Sequence, residues 1–324
     1  MTDSLSSLNQ REIQRVPLQE RAFLLGKMLG VNASRVRRAS LRQRLQEMGY
    51  QVHDTPHFLV GRRTGTPTMV AHWFMLAAID TELGRYFMEE LKPLGLLTTA
   101  QDFAEVFGAV VHSVAPHDPQ RAWHVFATNT LQRYHALLDG NQNTAANCHS
   151  PVEVFAALYR RVCELHGGES LLDAGCSSGF LPLVLAERFP ALTKVVGIDT
   201  RTEPFAVARA LAEERHLAHV RFEQGDLLHD DLSTLGYFDT VTVLHVLEHF
   251  TEVDMYAVLK KLLTLTSHRL IIGVPYEQEP ESVYGHEQLF TRTKLEAIGD
   301  WCIEQLGGGQ ATCEDCAGGL LYID

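Results

Sequence analysis

The chain has 324 residues, room for two domains of ordinary size. Its 45% apolar and 21% charged content is a globular balance that excludes a mostly disordered polypeptide. The net charge of −12 is unevenly spread: residues 1–63 hold 11 Lys and Arg against 5 Asp and Glu, the remainder 17 against 35. No run approaches the ~20 apolar residues of a bilayer crossing, so no membrane partner is expected. Residues 1–7 lack the basic start and apolar centre of a secretory signal, and six scattered cysteines do not make a disulfide framework. The expectation is a cytoplasmic protein.

Hydrophobic periodicity predicts helices over 13–29, 36–48, 69–91, 103–114 and 122–138. Only 51–63 reads as extended. A polar, turn-forming stretch, residues 139–147, separates this half from the next. Beyond a helix at 151–166, short apolar runs at 170–174, 194–199, 219–223, 238–244 and 269–274 alternate with helices near 180–189, 204–216 and 254–266. That alternation is the pattern of a parallel sheet covered by helices. A helix near 293–306 and two short strands near 310–314 and 319–323 suggest an antiparallel edge. The expected organisation is a mainly α-helical N-terminal domain, residues 1–145, and an α/β domain, residues 146–324, with a Rossmann-like, seven-stranded, mostly parallel sheet.

The first strand of the second half ends in Asp173-Ala174-Gly175-Cys176-Ser177-Ser178-Gly179, and a helix follows at once. Glycines at such a turn let a ligand approach the backbone. Gly175, Ser177 and Phe180 stand where a dinucleotide fingerprint needs three glycines, so that reading fails, and no P-loop lysine follows. A carboxylate before the turn repels a pyrophosphate and suits a ligand with an ammonium and no phosphate, such as S-adenosylmethionine. Asp199 ends the second strand, 20 residues after Gly179, where a carboxylate can accept from ribose hydroxyls. Asp226, after the third strand, can accept from an adenine amine, with Leu227 against the ring. Any one of these acids alone reads as an ordinary strand-end residue; three in register with the glycine turn are a joint signal.

On these residues, and on the run from Phe238 to His249, residues 151–324 resemble the class I S-adenosylmethionine-dependent methyltransferases. The run is most like the branch that methylates small molecules, including quinone and natural-product O-methyltransferases. The resemblance implies S-adenosylmethionine as cofactor, held by Asp173, Gly175, Cys176, Gly179, Asp199, Asp226, Leu227 and His245. Ser177 departs from the commoner middle glycine, and His245 stands where an acidic or small residue is usual. Residues 1–140 match no methyltransferase segment.

Methyl transfer from a sulfonium asks the protein to align the reactants and, for an alcohol, to take a proton. Two histidines are placed for that: His249, at the end of the fourth strand, and His286, in the connection after the fifth. Each also reads as a structural histidine that orients its loop. Glu248, His249, His286 and Glu287 could together take a divalent ion, but no metal is expected on balance. Asp230-Asp231 reads as a solvated loop, and the lone Cys313-x-x-Cys316 as no zinc site.

The basic segment 30–60 allows a winged-helix-like arrangement, a helix-turn-helix followed by a small wing. A lid or dimerisation domain lining the acceptor pocket is the preferred reading over nucleic-acid binding. The expected function is methyl transfer to a small-molecule acceptor, most readily a hydroxyl oxygen, in a protein that can form a homodimer. The alternatives are an S-adenosylmethionine-sensing DNA-binding regulator and an RNA or protein methyltransferase.

Overall fold

A computed structural model describes residues 21–140 and 150–324. The chain divides into two compact units, Met1–Thr130 and Leu131–Asp324. The boundary expected at 145/146 lies outside the described residues, as does the start of the helix expected at 13–29.

In the first unit a hairpin, β1 (Ala22–Leu25) and β2 (Met28–Asn32), leads into α1 (Arg38–Glu47). Then come β3 (Gln51–Asp54), β4 (Phe58–Arg62) and β5 (Thr68–His72), the short helix α2 (Leu83–Tyr86) running on into a wider turn over Phe87–Leu91, and α3 (Ala100–His112). A long helix, α4 (Pro119–Asp139), crosses the division. The strands form one sheet, β1-β2-β5-β4-β3, in which only β2 and β5 run parallel. α1 contributes Leu41 and Leu45, one turn apart, to a core shared with Leu29, Val31, Leu59 and Met69.

This unit is therefore mixed rather than mainly helical. Residues 22–25, 28–29 and 69–72, expected inside helices, are strands. β2 is buried along its whole length and β5 nearly so. Such a run loses its two-residue alternation and reads like a buried helix. The helix-turn-helix is corrected too: the element before α1 is β2, although a β3–β4 hairpin does stand at the place of the wing.

Gly30 shows what holds the layers together. A Cβ built there would lie 2.1 Å from the carbonyl oxygen of Ala109, so α3 rests directly on the backbone of β2. The start of α3 is fixed by a capping box, with Thr99 Oγ1 accepting from the Asp102 amide and Asp102 from that of Thr99. Lys27, in the β1–β2 turn, sits 2.5 Å from Asp102 and holds its carboxyl well below the usual range.

The second unit contains α5 (Pro151–Leu165), β6 (Ser170–Ala174), α6 (Phe180–Arg188), β7 (Lys194–Asp199), α7 (Phe205–Glu214) and β8 (Val220–Gln224). There follow β9 (Phe238–Leu244), α8 (Glu252–Leu265), β10 (Thr266–Val274), α9 (Arg292–Leu306), β11 (Ala311–Asp315) and β12 (Gly319–Ile323). They build a seven-stranded sheet of order β8-β7-β6-β9-β10-β12-β11. β6 to β10 are parallel; β12 alone runs against its neighbours and sits one place in from the edge. From β6 the chain moves outward through β7 to β8, then returns to β9 on the other side of β6. That reversal opens a crevice beyond the carboxyl ends of β6 and β9, where ligands of such sheets bind.

Replacing Gly30 by alanine must push α3 off β2. We expect a loss of roughly 1–3 kcal/mol, the usual cost of overpacking, seen as a lower denaturant midpoint with an unchanged slope.

Candidate active site

The turn after β6 is left-handed at Gly175 (φ +82°), Ser177 (+48°) and Gly179 (+73°). The two glycines are needed for space as well. A Cβ on Gly175 would lie 2.3 Å from Val246 Cγ2, and one on Gly179 2.3 Å from the Phe222 ring. The amides of Gly175 and Cys176 both donate to the Ile198 carbonyl, at 2.8 and 3.0 Å, which seats the turn over the end of β7. Asp173 is buried and accepts from Thr242 Oγ1 at 2.7 Å. Burial, with a smaller contribution from Asp199, pushes its carboxyl up to about 7. Cys176 is also buried, its thiol raised well above the ordinary range, so it packs rather than reacts.

Asp199 Oδ2 accepts from the Ser177 amide and Oδ1 from that of Arg201, both at 2.9 Å. This leaves the carboxylate fixed at the rim of the crevice with further lone pairs. Asp226 sits at the next rim, but its oxygens are engaged locally: Oδ1 accepts from the amides of Leu228 and His229, and Oδ2 lies 2.9 Å from His229 Nδ1. Leu227 is buried beside it. Asp230 accepts from the Asp226 amide and Asp231 caps the following turn, so this pair shapes a loop.

The second half of the site follows β9. His245 has a left-handed backbone (φ +53°), an uncommon and costly state for a residue with a Cβ. Its amide donates to Gly273 at 2.8 Å and its ring lies 5.0 Å from that of Phe155. Burial lowers its imidazole to about 4, helped by His286 and His249, so it is neutral. Val246 turns against Gly175 and joins this segment to the glycine turn.

Glu248 is fully buried, and neither carboxylate oxygen has a hydrogen-bond partner. Burial first, and Glu277 second, push it up to about 8. His249 Nδ1 donates to the Gly285 carbonyl at 3.1 Å, which leaves Nε2 as an acceptor; burial lowers its basicity. His286 Nδ1 meets both oxygens of Glu277, at 3.0 and 2.9 Å, and its Nε2 lies 4.0 Å from Glu248. The two histidine rings are 5.0 Å apart. The loop carrying His286 is stitched to the turn after β9: the Glu287 amide donates to Glu248 O, and Gln288 Nε2 to the carbonyls of Leu247 and Phe250. Thr291 caps α9, as its place in the sequence suggests.

One ligand atom from each of Glu248, His249 and His286 lies within 4.8 Å of the others. A carboxylate and two imidazoles suit a divalent transition ion, and an orphaned buried carboxylate is the group such an ion would satisfy. Glu287 is exposed and outside this set. Sequence reasoning missed Glu277, the partner of His286. Nine residues apart in an irregular loop, the two share no periodicity that would reveal the pair.

The family described as a methyltransferase domain matches residues 171–268. The C-terminal unit carries a class I S-adenosylmethionine-dependent methyltransferase domain. Among curated relatives, the ubiquinone biosynthesis O-methyltransferase of Acinetobacter baylyi is 32% identical over 98 residues, 30% of this chain and 39% of that protein. The O-antigen chain terminator bifunctional methyltransferase/kinase of Escherichia coli is 28% identical over 152 residues, 45% of this chain and 21% of that one. The chain thus spans well under half the length of these relatives. An O-methyltransferase family protein of Burkholderia thailandensis is 16% identical with a TM-score of 0.42, covering 76% of this chain and 93% of that one.

The methyltransferase domain fits its cofactor on its own geometry. The glycine turn is a cradle that side chains would fill, and Asp199 stands at its edge with lone pairs to spare. Asp199→Ala, by removing charge-assisted hydrogen bonds worth about 1.5–3 kcal/mol each, is expected to weaken cofactor binding by tenfold or more in calorimetry, with an unchanged circular dichroism spectrum showing that the variant is folded.

Glu248 sets a pH dependence. Its folded value near 8 lies above the ordinary 4.5, so folding favours the protonated form. That contribution is complete below pH 4.5 and is lost as pH rises through 8. Glu248→Gln should therefore match the parent in thermal stability at pH 4 and melt higher than it at pH 9.

Proposed function

We propose that the protein transfers the methyl group of S-adenosylmethionine to a hydroxyl oxygen of a small molecule, with His249 or His286 receiving the proton. The observation that carries this reading is the pair of imidazoles at the mouth of the crevice, joined to the cofactor turn through Val246. His286, backed by the Glu277 carboxylate on Nδ1, has the arrangement of an oriented base, with Nε2 left for the acceptor. His249 is oriented in the same sense by a carbonyl. Asp173, Gly175, Cys176, Gly179, Asp199, Asp226, Leu227 and His245 form the cofactor side; the cofactor supplies an activated methyl group, and these residues hold and orient it. The name of the Acinetobacter relative supports oxygen as the nucleophile. Against the regulator stands the strand where a first DNA-binding helix was expected.

A second reading has its own observation, the unpartnered carboxylate of Glu248. A divalent ion on Glu248, His249 and His286 would make an acceptor hydroxyl more acidic and position it, in place of a free imidazole base. The two readings separate cleanly. In both, His249→Ala and His286→Ala lower turnover, by ~10²–10⁴ for whichever residue is the base, with cofactor affinity unchanged. Chelator treatment followed by metal add-back, and Glu248→Gln, should leave activity largely intact under the imidazole reading and abolish it under the metal reading. If neither histidine variant slows turnover, proton removal belongs elsewhere.

A further inference from the structure

The first unit carries an exposed apolar surface of its own. After β5 the chain runs Trp73-Phe74-Met75-Leu76-Ala77-Ala78, six apolar residues in succession. The last four are exposed, Met75 at 69% and Leu76 at 47%. The backbone holds them out. Asn129 Nδ2 donates to the carbonyls of Leu76 and Ile79, at 2.8 and 2.9 Å, and Ile79 is fully buried, so the turn is pinned while its side chains face solvent.

The turn is also tied to a cationic segment. Trp73 Nε1 donates to the Val36 carbonyl at 2.8 Å, and the Arg38 guanidinium lies 4.5 Å from the Trp73 ring centre. Arg38 and Arg42 are paired with Asp54. Arg35 and Arg37, on either side of Val36, are exposed and make no ion pair or side-chain hydrogen bond among the described residues.

We propose that this face docks on an anionic phospholipid bilayer, with Met75 and Leu76 entering the boundary between headgroups and acyl chains and Arg35 and Arg37 facing acidic headgroups. An apolar surface flanked by cations is the composition that binds such an interface. Met75 and Leu76 stand exposed to solvent, and fluid lipid closes around an exposed side chain where a folded protein would need a matching pocket. Nucleic acid would use the charge and leave the aliphatic tip bare, and the Trp73 ring that could stack on a base already carries Arg38. The contact is peripheral, consistent with no described helix being long and apolar enough to cross a membrane.

The test is co-sedimentation of the full chain with vesicles of phosphatidylcholine alone and of phosphatidylcholine mixed with phosphatidylserine. Binding is expected to the mixed vesicles only, and to weaken as salt screens the headgroups. An arginine near an anionic surface is worth roughly fivefold in affinity, so the double variant R35E/R37E should lower partition at least tenfold. M75S/L76S should lower it comparably. All four positions are exposed, and an unchanged circular dichroism spectrum confirms folding. Binding to neither vesicle type, or equally to both, overturns the proposal. So does a dimer in sedimentation equilibrium that M75S/L76S dissolves, or salt-sensitive capture of single-stranded nucleic acid by a protein that ignores the vesicles.

Discussion

The close approach of the β6–α6 turn to its neighbours is the constraint on which the methyltransferase site depends. Gly175 and Gly179 let the turn lie against Val246 on one side and Phe222 on the other, and no larger residue fits either place. The Thr242–Asp173 hydrogen bond locks the two strands at the sheet's reversal point. With β6 and β9 so fixed, the segment from His245 to His249 has to leave the sheet beside the cofactor turn. The loop bearing His286 is then bonded to that segment through Glu287 and Gln288. The glycine turn and the two histidines proposed as proton acceptors are thus one connected structure.

Burial, more than any charged partner, sets the electrostatics of this site. It raises Asp173 and Glu248 and lowers His245. Glu248 stands out because its burial is uncompensated, both oxygens lacking a hydrogen bond. A polar group kept dry in this way costs stability, and such costs gather where a ligand is to be received. His245 adds backbone strain at the same place. The neutral His245 and the protonatable Glu248 put lone pairs rather than fixed charge at the turn after β9.

How far each half could be read from its sequence depended on how its strands are buried. In the second unit short apolar strands alternate with amphipathic helices, and 170–174, 194–199 and 238–244 match β6, β7 and β9 residue for residue. In the first unit β2 and β5 are buried on both faces and join neighbouring apolar segments into runs long enough to mimic helices. What separates them from helices is Gly26, left-handed at the hairpin turn, and Gly30 beneath α3. Both functions become visible only when the partners are present.

The sequence alone determined the α/β architecture of the second half, its cofactor class, and the two histidines at the crevice, because glycine turns and strand-end acids are local features with fixed spacing. Tertiary structure alone decided the rest: the Glu277–His286 pair, the unpartnered Glu248, the left-handed His245, and the five-stranded sheet of the first unit. Each of these depends on contacts between segments far apart in the chain, and on burial that only the assembled layers create.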